Sequence, residues 1–441
     1  MEPTPPEPLE SAYTIGQILR HGPVRQLLLS QAALGAGVAM QAATLGKQVF
    51  DITGREVDIG FIGLAEFLPA ALLVLVTGVA ADRFRRKTIA LLAMVGELSC
   101  AVVLMLYART DPSRVMPLML VAAAFGVARA FIAPAMRSMP PMVAPPGGLP
   151  KVIALWGACF TGAAIIGPAV SGFLYAIDPW VAYAAAAGLM SVAIGAMGRV
   201  AFVRAPAKPV PSERPTIAHA VEGLRFIRRT PILFAAISLD LFAVLFGGAV
   251  ALLPAIAEER LGVGDVAYGW LRAAPGIGAA AMAVLIAIRP VRRRIGRSLL
   301  VAVGVFGMAT IVLGLTRSYA VAFVALLIAS SADMISVFVR SSLVPLVTPD
   351  DKRGRVLAVE NVFIGASNEL GAFESGVVGQ ALGTSQAVVG GGVATLAVVA
   401  IWWARFPALR EVDRFDDLRD VATVPPRQQR HAATGGQEDA T

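Results

Sequence analysis

The chain has 441 residues, 56% of them hydrophobic and only 15% charged, with a formal net charge of +8 and a mean hydropathy of +0.70. Soluble domains carry about a quarter charged residues, so this composition excludes an ordinary globular protein and makes lipid the solvent for most of the chain. The basic excess invites a nucleic-acid reading, which the placement of the charges excludes below.

Met1 to Glu10 is rich in Pro and Glu and has no basic residue before the first apolar run, so it is not read as a signal peptide. Residues 1–24 are expected to be a cytoplasmic segment. Runs of about 20 apolar residues, the length a spanning helix needs, follow at 25–50, 59–81, 87–108, 115–138, 150–175 and 179–203. A polar stretch, 204–230, divides the chain. It begins with Pro206, Pro209, Pro211 and Pro215. It then places Ile217, Val221, Leu224 and Ile227 at helical spacing, opposite Glu222, Arg225 and Arg229. That pattern predicts a short surface helix linking two halves on the cytoplasmic leaflet. Six further spans are predicted at 231–257, 266–289, 296–316, 319–341, 354–378 and 384–405. The tail, 406–441, contains Pro425-Pro426 and Gly435-Gly436 and is expected to be cytoplasmic and partly disordered. The domains are thus an N-terminal six-helix half at 25–203 and a C-terminal one at 231–405.

With the N-terminus inside, 30 of the 38 Lys and Arg fall on the cytoplasmic side and 5 on the outer side. Lys47, Arg129 and Arg272 lie inside spans. This asymmetry is the positive-inside rule, and it places both termini in the cytoplasm. The charge marks topology, so no nucleic-acid partner is expected.

The halves repeat each other. Arg137-Ser138, Val143-Ala144-Pro145 and Lys151-Val152 recur as Arg340-Ser341, Val347-Thr348-Pro349 and Arg355-Val356, between the fourth and fifth span of each half. Asp82-Arg83-Phe84-Arg85-Arg86 is echoed by Arg293-Arg294-Ile295-Gly296-Arg297. Two parallel six-helix halves with a midplane substrate site between them form a transporter architecture. The fold expected is therefore an all-α integral membrane protein of twelve transmembrane helices in two pseudo-symmetric halves.

The stretch Gly78-Val-Ala-Ala-Asp82-Arg83-Phe84-Arg85-Arg86-Lys87 resembles the signature loop of the major facilitator superfamily, G-x-x-x-D-R-x-G-R-R. The resemblance implies a conformational lock in which Asp82 meets the N-terminal end of the eleventh helix, with Arg83 and Arg86 as partners. Arg85 departs from the family's Gly, which Gly296 retains in the second half. The fifth span carries Gly157, Gly162, Gly167-Pro168 and Ser171-Gly172, similar to a G-x-x-x-G-P-x-x-G-G element associated with proton-coupled exporters. Ordinary close packing of helices accounts for the same glycines. Ile237-Ser-Leu-Asp240, Gly365-Ala-Ser-Asn368-Glu369 and Phe373-Glu374-Ser-Gly376 resemble the enterobactin-exporter branch of that superfamily.

Charges inside spans are costly and tend to be paired or functional. Arg129 and Asp333 occupy equivalent places on the fourth and tenth helices, so they are expected to face the central cavity with opposite charge. On the eleventh helix Asn361, Asn368 and Ser375 recur every seven residues and form one polar stripe. Glu369 borders this stripe at mid-span. It and Asp240 are the candidates for a proton-coupling carboxylate. Lys47, Arg272 and Glu360 lie within about three turns of a span end, where a long side chain can reach water.

Other classes lack their chemistry. No phosphate loop occurs, and Gly46-Lys47 is followed by Gln48. His21, His219 and His431 lie outside the spans, and Cys100 and Cys159 inside them, which gives no metal site and no disulfide framework. No enzyme activity and no cofactor is expected. The function expected is efflux of a small amphipathic molecule, drug-like or a siderophore, by a proton antiporter working as a monomer in the bacterial inner membrane. Uptake, lysolipid transport and a non-transporting receptor or scaffold are the alternatives.

Overall fold

The computed structural model describes residues 13–83, 85–202 and 217–418, with the side chains of 74–83, 217–220 and 351 outside the description. Every regular element among the described residues is helical. Twelve long helices can be numbered in chain order. The first six are α1 (Gly22–Thr53), α2 (Glu56–Arg83), α3 (Arg86–Ala108), α4 (Met116–Arg137), α5 (Leu149–Tyr175) and α6 (Pro179–Arg199). The second six are α7 (Pro231–Arg260), α8 (Asp265–Ile288), α9 (Ile295–Leu315), α10 (Tyr319–Val347), α11 (Asp350–Leu382) and α12 (Thr384–Arg405). Ten are long and apolar enough to cross a membrane. The remaining two, α2 and α11, have 28 and 33 residues. In α11 charged side chains such as Lys352, Arg353, Arg355, Glu360, Glu369 and Glu374 interrupt the apolar run.

Contacts group the chain into two compact units that do not coincide with the sequence halves. Unit 1 comprises residues 1–52, 68–214 and 265–273, and unit 2 comprises 53–67, 215–264 and 274–441. Each unit thus includes the head of the other half's second helix. Inside unit 1, α3 packs along α6 and α4; inside unit 2, α9 packs along α12 and α10. The same pairs of helices, third with sixth and third with fourth, meet in each repeat. Leu27, Met94, Met136 and Met190 belong to the buried core of unit 1. Leu233, Leu299, Val339 and Leu343 belong to that of unit 2.

The repeated Arg-Ser motif ends its helix differently in the two halves. After Arg137-Ser138 come Met139 and then Pro140-Pro141, and α4 stops at Arg137, with a separate short helix at Pro140–Val143. Pro140 and Pro141 have no amide hydrogen, so they cannot continue the helix's bonds to the carbonyls of Met136 and Arg137. After Arg340-Ser341 the corresponding positions are Leu343-Val344, and α10 runs on to Val347. The predicted span end at 341 is therefore too early, and Arg340 lies two turns inside the helix. Arg137 is exposed, whereas Arg340 is buried.

The linker helix forms at Ile217–Arg229, and it packs on the start of α11 in unit 2. Glu222 pairs with Arg355, and Lys352 lies over the Phe226 ring at 5.2 Å. Its packed side includes Gly223 and Ile227, while Val221 is exposed. The predicted apolar stripe is thus displaced around the helix, because the absence of a side chain at Gly223 lets the α11 backbone approach. The prolines 206–215 and the end of the tail, Pro425-Pro426 and Gly435-Gly436, lie outside the described residues.

The close approach of α5 and α8 within unit 1 depends on glycine. A Cβ at Gly172 would lie 2.5 Å from the Asp265 carbonyl oxygen and 2.8 Å from the Gly269 Cα. At Gly162 a Cβ would meet nothing within 4 Å. Overpacking of this kind costs about 1–3 kcal/mol. Gly172→Ala is therefore expected to lower the thermal unfolding midpoint of the detergent-purified protein, with Gly162→Ala leaving it in place. Equal midpoints for the two variants would contradict the crossing.

Candidate functional site

The most buried charged group in unit 2 is built from three helices. Arg340 of α10 donates from Nη2 to Asp240 Oδ1 of α7 at 2.8 Å, and its Nη1 lies 3.7 Å from Glu360 Oε1 of α11. All three residues are less than 10% exposed. Asp333, two turns along α10 from Arg340, is near enough for its charge to act on both Asp240 and Arg340. Arg340 Nε has no hydrogen-bond partner among the described residues. One guanidinium therefore pairs with two carboxyl groups and lies within the field of a third. Such a group can hold one or more protons or give them up, and each change alters which carboxylate the guanidinium can bind.

A second cluster lies in unit 1, where α1 and α5 end and α8 begins. Lys47 of α1 is 7% exposed. Its ammonium pairs with Asp51 one turn on, and lies 3.4 Å from Asp265 at the head of α8. Tyr175, the last residue of α5, donates its hydroxyl to Asp51 Oδ2 at 2.6 Å. The Tyr175 ring faces the same ammonium at 5.6 Å. Tyr268 and Tyr183 close the surroundings by donating to the Ala43 carbonyl at 3.0 Å and to Gln48 Oε1 at 2.9 Å.

Unit 2 has a cluster of parallel construction. The Thr384 hydroxyl at the start of α12 stands against Glu56, at the head of α2, and lies 3.2 Å from Glu259 Oε2 near the end of α7. A hydroxyl has one proton to donate, so it can satisfy only one of the two carboxylates at a time.

These arrangements correct the expectation that Lys47 and Glu360 reach headgroups or water. Both are buried and engaged with opposite charge inside the protein. Arg129 and Asp333 do sit on α4 and α10, but in different units: Arg129 is exposed, and Asp333 is half-buried beside the Arg340 group. Asn361 and Asn368 are exposed, and each amide donates to its own helix, to the carbonyls of Leu357 and Ile364 at 2.8 Å. Glu369 lies against Gly63 of α2, where an added Cβ would be 2.8 Å from its Oε2. It therefore belongs to a separate place from Asp240.

Of the signature loop, the side chains of Gly78, Asp82 and Arg83 lie outside the description, and Arg86 is half-buried at the start of α3. The neighbouring Lys87 binds the carbonyls of Gly198 and Val200 at 2.8 Å, securing the end of α6. On α5, Gly167 and Gly172 make close backbone approaches, to Ala36 of α1 and to Asp265, and Pro168 lies within the helix. Gly162 makes none. Sequence reasoning does not single out Arg340 or Lys87 as functional, and it reads Lys47 only as a charge near a span end. The one signal that could have found Arg340 is its place in a repeated motif.

A model of the Major Facilitator Superfamily matches residues 27–372. The multidrug efflux pump Tap of Mycolicibacterium fortuitum is 26% identical over 421 residues, covering 89% of this chain and 98% of the pump. An uncharacterised MFS-type transporter of Bacillus subtilis, YfiS, is 26% identical over 385 residues, covering 82% and 88%. Among solved structures, the nucleoside transporter NupG superposes with a TM-score of 0.68 at 11% identity, covering 87% of this chain and 98% of the other. A bacterial homolog of the human lysosomal transporter Spinster gives 0.68 at 15% identity, covering 86% and 95%. These structural likenesses concern the fold. The family match spans most of the chain, and the helical repeat agrees with it. The chain belongs to the Major Facilitator Superfamily and is a multi-pass membrane transporter, not an enzyme.

Proposed function

We propose that this transporter exports a small amphipathic compound, drug-like or a siderophore, in exchange for protons. The observation that carries the reading is the Arg340 group, in which one buried guanidinium stands among Asp240, Glu360 and Asp333. Taking up a proton at Asp240 frees Arg340 to bind Glu360 more closely, and losing it restores the first pair. Proton occupancy is thereby tied to the relative placement of α7, α10 and α11. Glu369, against Gly63, is a second place where a proton could be carried. The efflux role of the Tap relative favours export.

In this reading Arg129 and Asp333 set the charge of the substrate accepted, and Asn361 and Asn368 offer it amides. The loop of Gly78, Asp82, Arg83 and Arg86 holds one conformation. Gly162, Gly167, Pro168 and Gly172 let α5 move against its neighbours. The protein works as a monomer in a bacterial inner membrane, with both termini in the cytoplasm. Residues 25–203 and 231–405 are the repeated halves, joined by 204–230, with 1–24 and 406–441 as cytoplasmic ends.

Inside-out vesicles with an acidified lumen test this directly, using a panel of drugs and siderophores. A substrate should release protons from the wild-type vesicles. Asp240→Asn should reduce that release to the level of empty vesicles, and Glu369→Gln shows whether the second site contributes. No release with any compound, from protein shown to be folded, would redirect the assignment to uptake. Arg340→Met separates structure from coupling. Removing the cation alone leaves buried carboxylates uncompensated, at a cost of about 3–5 kcal/mol. Its unfolding midpoint should fall sharply and recover when Asp240→Asn and Glu360→Gln are added. An unchanged midpoint for Arg340→Met would show that the carboxyl groups do not depend on it.

A further inference from the structure

After α12 the chain turns back through a short helix, Pro407–Arg410, and straps itself across the start of α9 in unit 2. The backbone amides of Ile295 and Gly296 donate to the carbonyls of Asp413 and Val412 at 3.3 and 3.1 Å. The amide of Arg294 donates to the Asp413 side chain at 3.1 Å. Arg294 adopts a left-handed conformation, φ 55°, to make this turn. Gly296 is required at the crossing, because a Cβ there would fall 1.7 Å from the Leu409 carbonyl oxygen. Leu409 and Leu418 are buried in the unit 2 core, and Phe415 packs edge-on against Phe338 of α10, with ring centroids 6.2 Å apart.

Between the strap and the α8–α9 loop lies a cavity of about 520 Å³. Pro290, Val291, Phe338 and Phe415 give it an apolar side, and Arg292, Arg293 and Arg414 give it a basic one, with Asp416 as the acid in the lining. The nearby acids are already committed. Asp413 accepts from the Arg294 amide and lies 3.9 Å from Arg414 Nε, and Asp417 accepts from the Arg414 amide at 2.9 Å. Arg292 and Arg293 are exposed, with no ion pair among the described residues. The volume is that of a small-molecule site. Guanidinium groups bind phosphate through paired donors.

We propose that this cavity binds the headgroup of an anionic phospholipid from the cytoplasmic leaflet. The phosphate would meet Arg292, Arg293 and Arg414, and the glycerol end would lie on Phe338 and Phe415. The mixed lining favours a lipid over a soluble anion, since a free phosphate gains nothing from the apolar side. Position favours it too: the cavity lies between the loop that follows α8 and the strap, on the side that the basic residues mark as cytoplasmic. Juxtamembrane basic pockets there meet a negatively charged leaflet. Because Arg414 and Phe415 come from the strap, the lipid would fasten the tail to the α8–α9 loop. The inference rests on the membrane topology and is independent of the substrate and of proton coupling.

Native mass spectrometry of delipidated, detergent-purified protein, offered phosphatidylglycerol or phosphatidylcholine at equal concentration, tests it. Wild type should retain phosphatidylglycerol roughly tenfold or more over phosphatidylcholine. Arg292→Gln/Arg293→Gln/Arg414→Gln should abolish that preference while keeping the wild-type unfolding midpoint. Gly296→Val, which displaces the strap, should weaken it as well. Equal retention of the two lipids by wild type, or a preference that survives the triple variant, would overturn the proposal. Displacement of phosphatidylglycerol by an equal concentration of glycerol phosphate would also overturn it, in favour of a soluble anion.

Discussion

A charged side chain in a spanning helix must find its counter-charge within the protein, and that requirement organises this transporter. Arg340 cannot remain in α10 unless Asp240 of α7 and Glu360 of α11 stand beside it. Lys47 cannot remain in α1 without Asp51 and the head of α8. Leaving such a cation unpaired costs more than most single packing contacts. The ion groups therefore dictate which helix faces meet, and the apolar surfaces fill in around them. The glycine crossing at Gly172 follows the same logic, since it brings the α8 backbone up to α5 at Asp265, a partner of Lys47.

The sequence repeat has a second expression at the helix ends. In unit 1 an acid from the end of α1, an acid from the head of α8 and a hydroxyl from the end of α5 come together. In unit 2 the parts are an acid from the end of α7, an acid from the head of α2 and a hydroxyl from the start of α12. Asp51 and Glu259 are 208 residues apart, and Glu56 and Asp265 are 209 apart, close to the 203–204 offset of the cytoplasmic loops. Each cluster borrows its second acid from the opposite half. The two borrowed acids, Glu56 and Asp265, lie in 53–67 and 265–273, the segments by which the compact units and the sequence halves differ.

Much of this is legible in the residues. Span length and the two loop echoes predict twelve helices and two halves, because both follow from composition and period. The family follows from the signature loop. Charge partners are not legible, because a helix end decides them. Arg340 looks like a loop residue by analogy with Arg137, and only the difference between Pro140-Pro141 and Leu343-Val344 separates the two environments. Distance from a span end misjudges Lys47 and Glu360, because that measure says nothing about which helix lies alongside. Gly296 is recognisable as the family's turn glycine, but its structural reason is the tail, more than 110 residues further along the chain.

The two helix-end clusters share a plan and differ in one respect. Around Asp51 and Asp265 a lysine is built in, and its ammonium pairs with both acids. Around Glu56 and Glu259 the Thr384 hydroxyl takes the place of the cation, and it can offer its hydrogen to only one carboxylate. Burial pushes the Glu56 carboxyl above the ordinary carboxylate value, and the neighbouring charge of Glu259 adds to this while the bond from Thr384 works against it. Two sites built to one pattern therefore set different groups opposite their acids, an ammonium in unit 1 and a hydroxyl in unit 2.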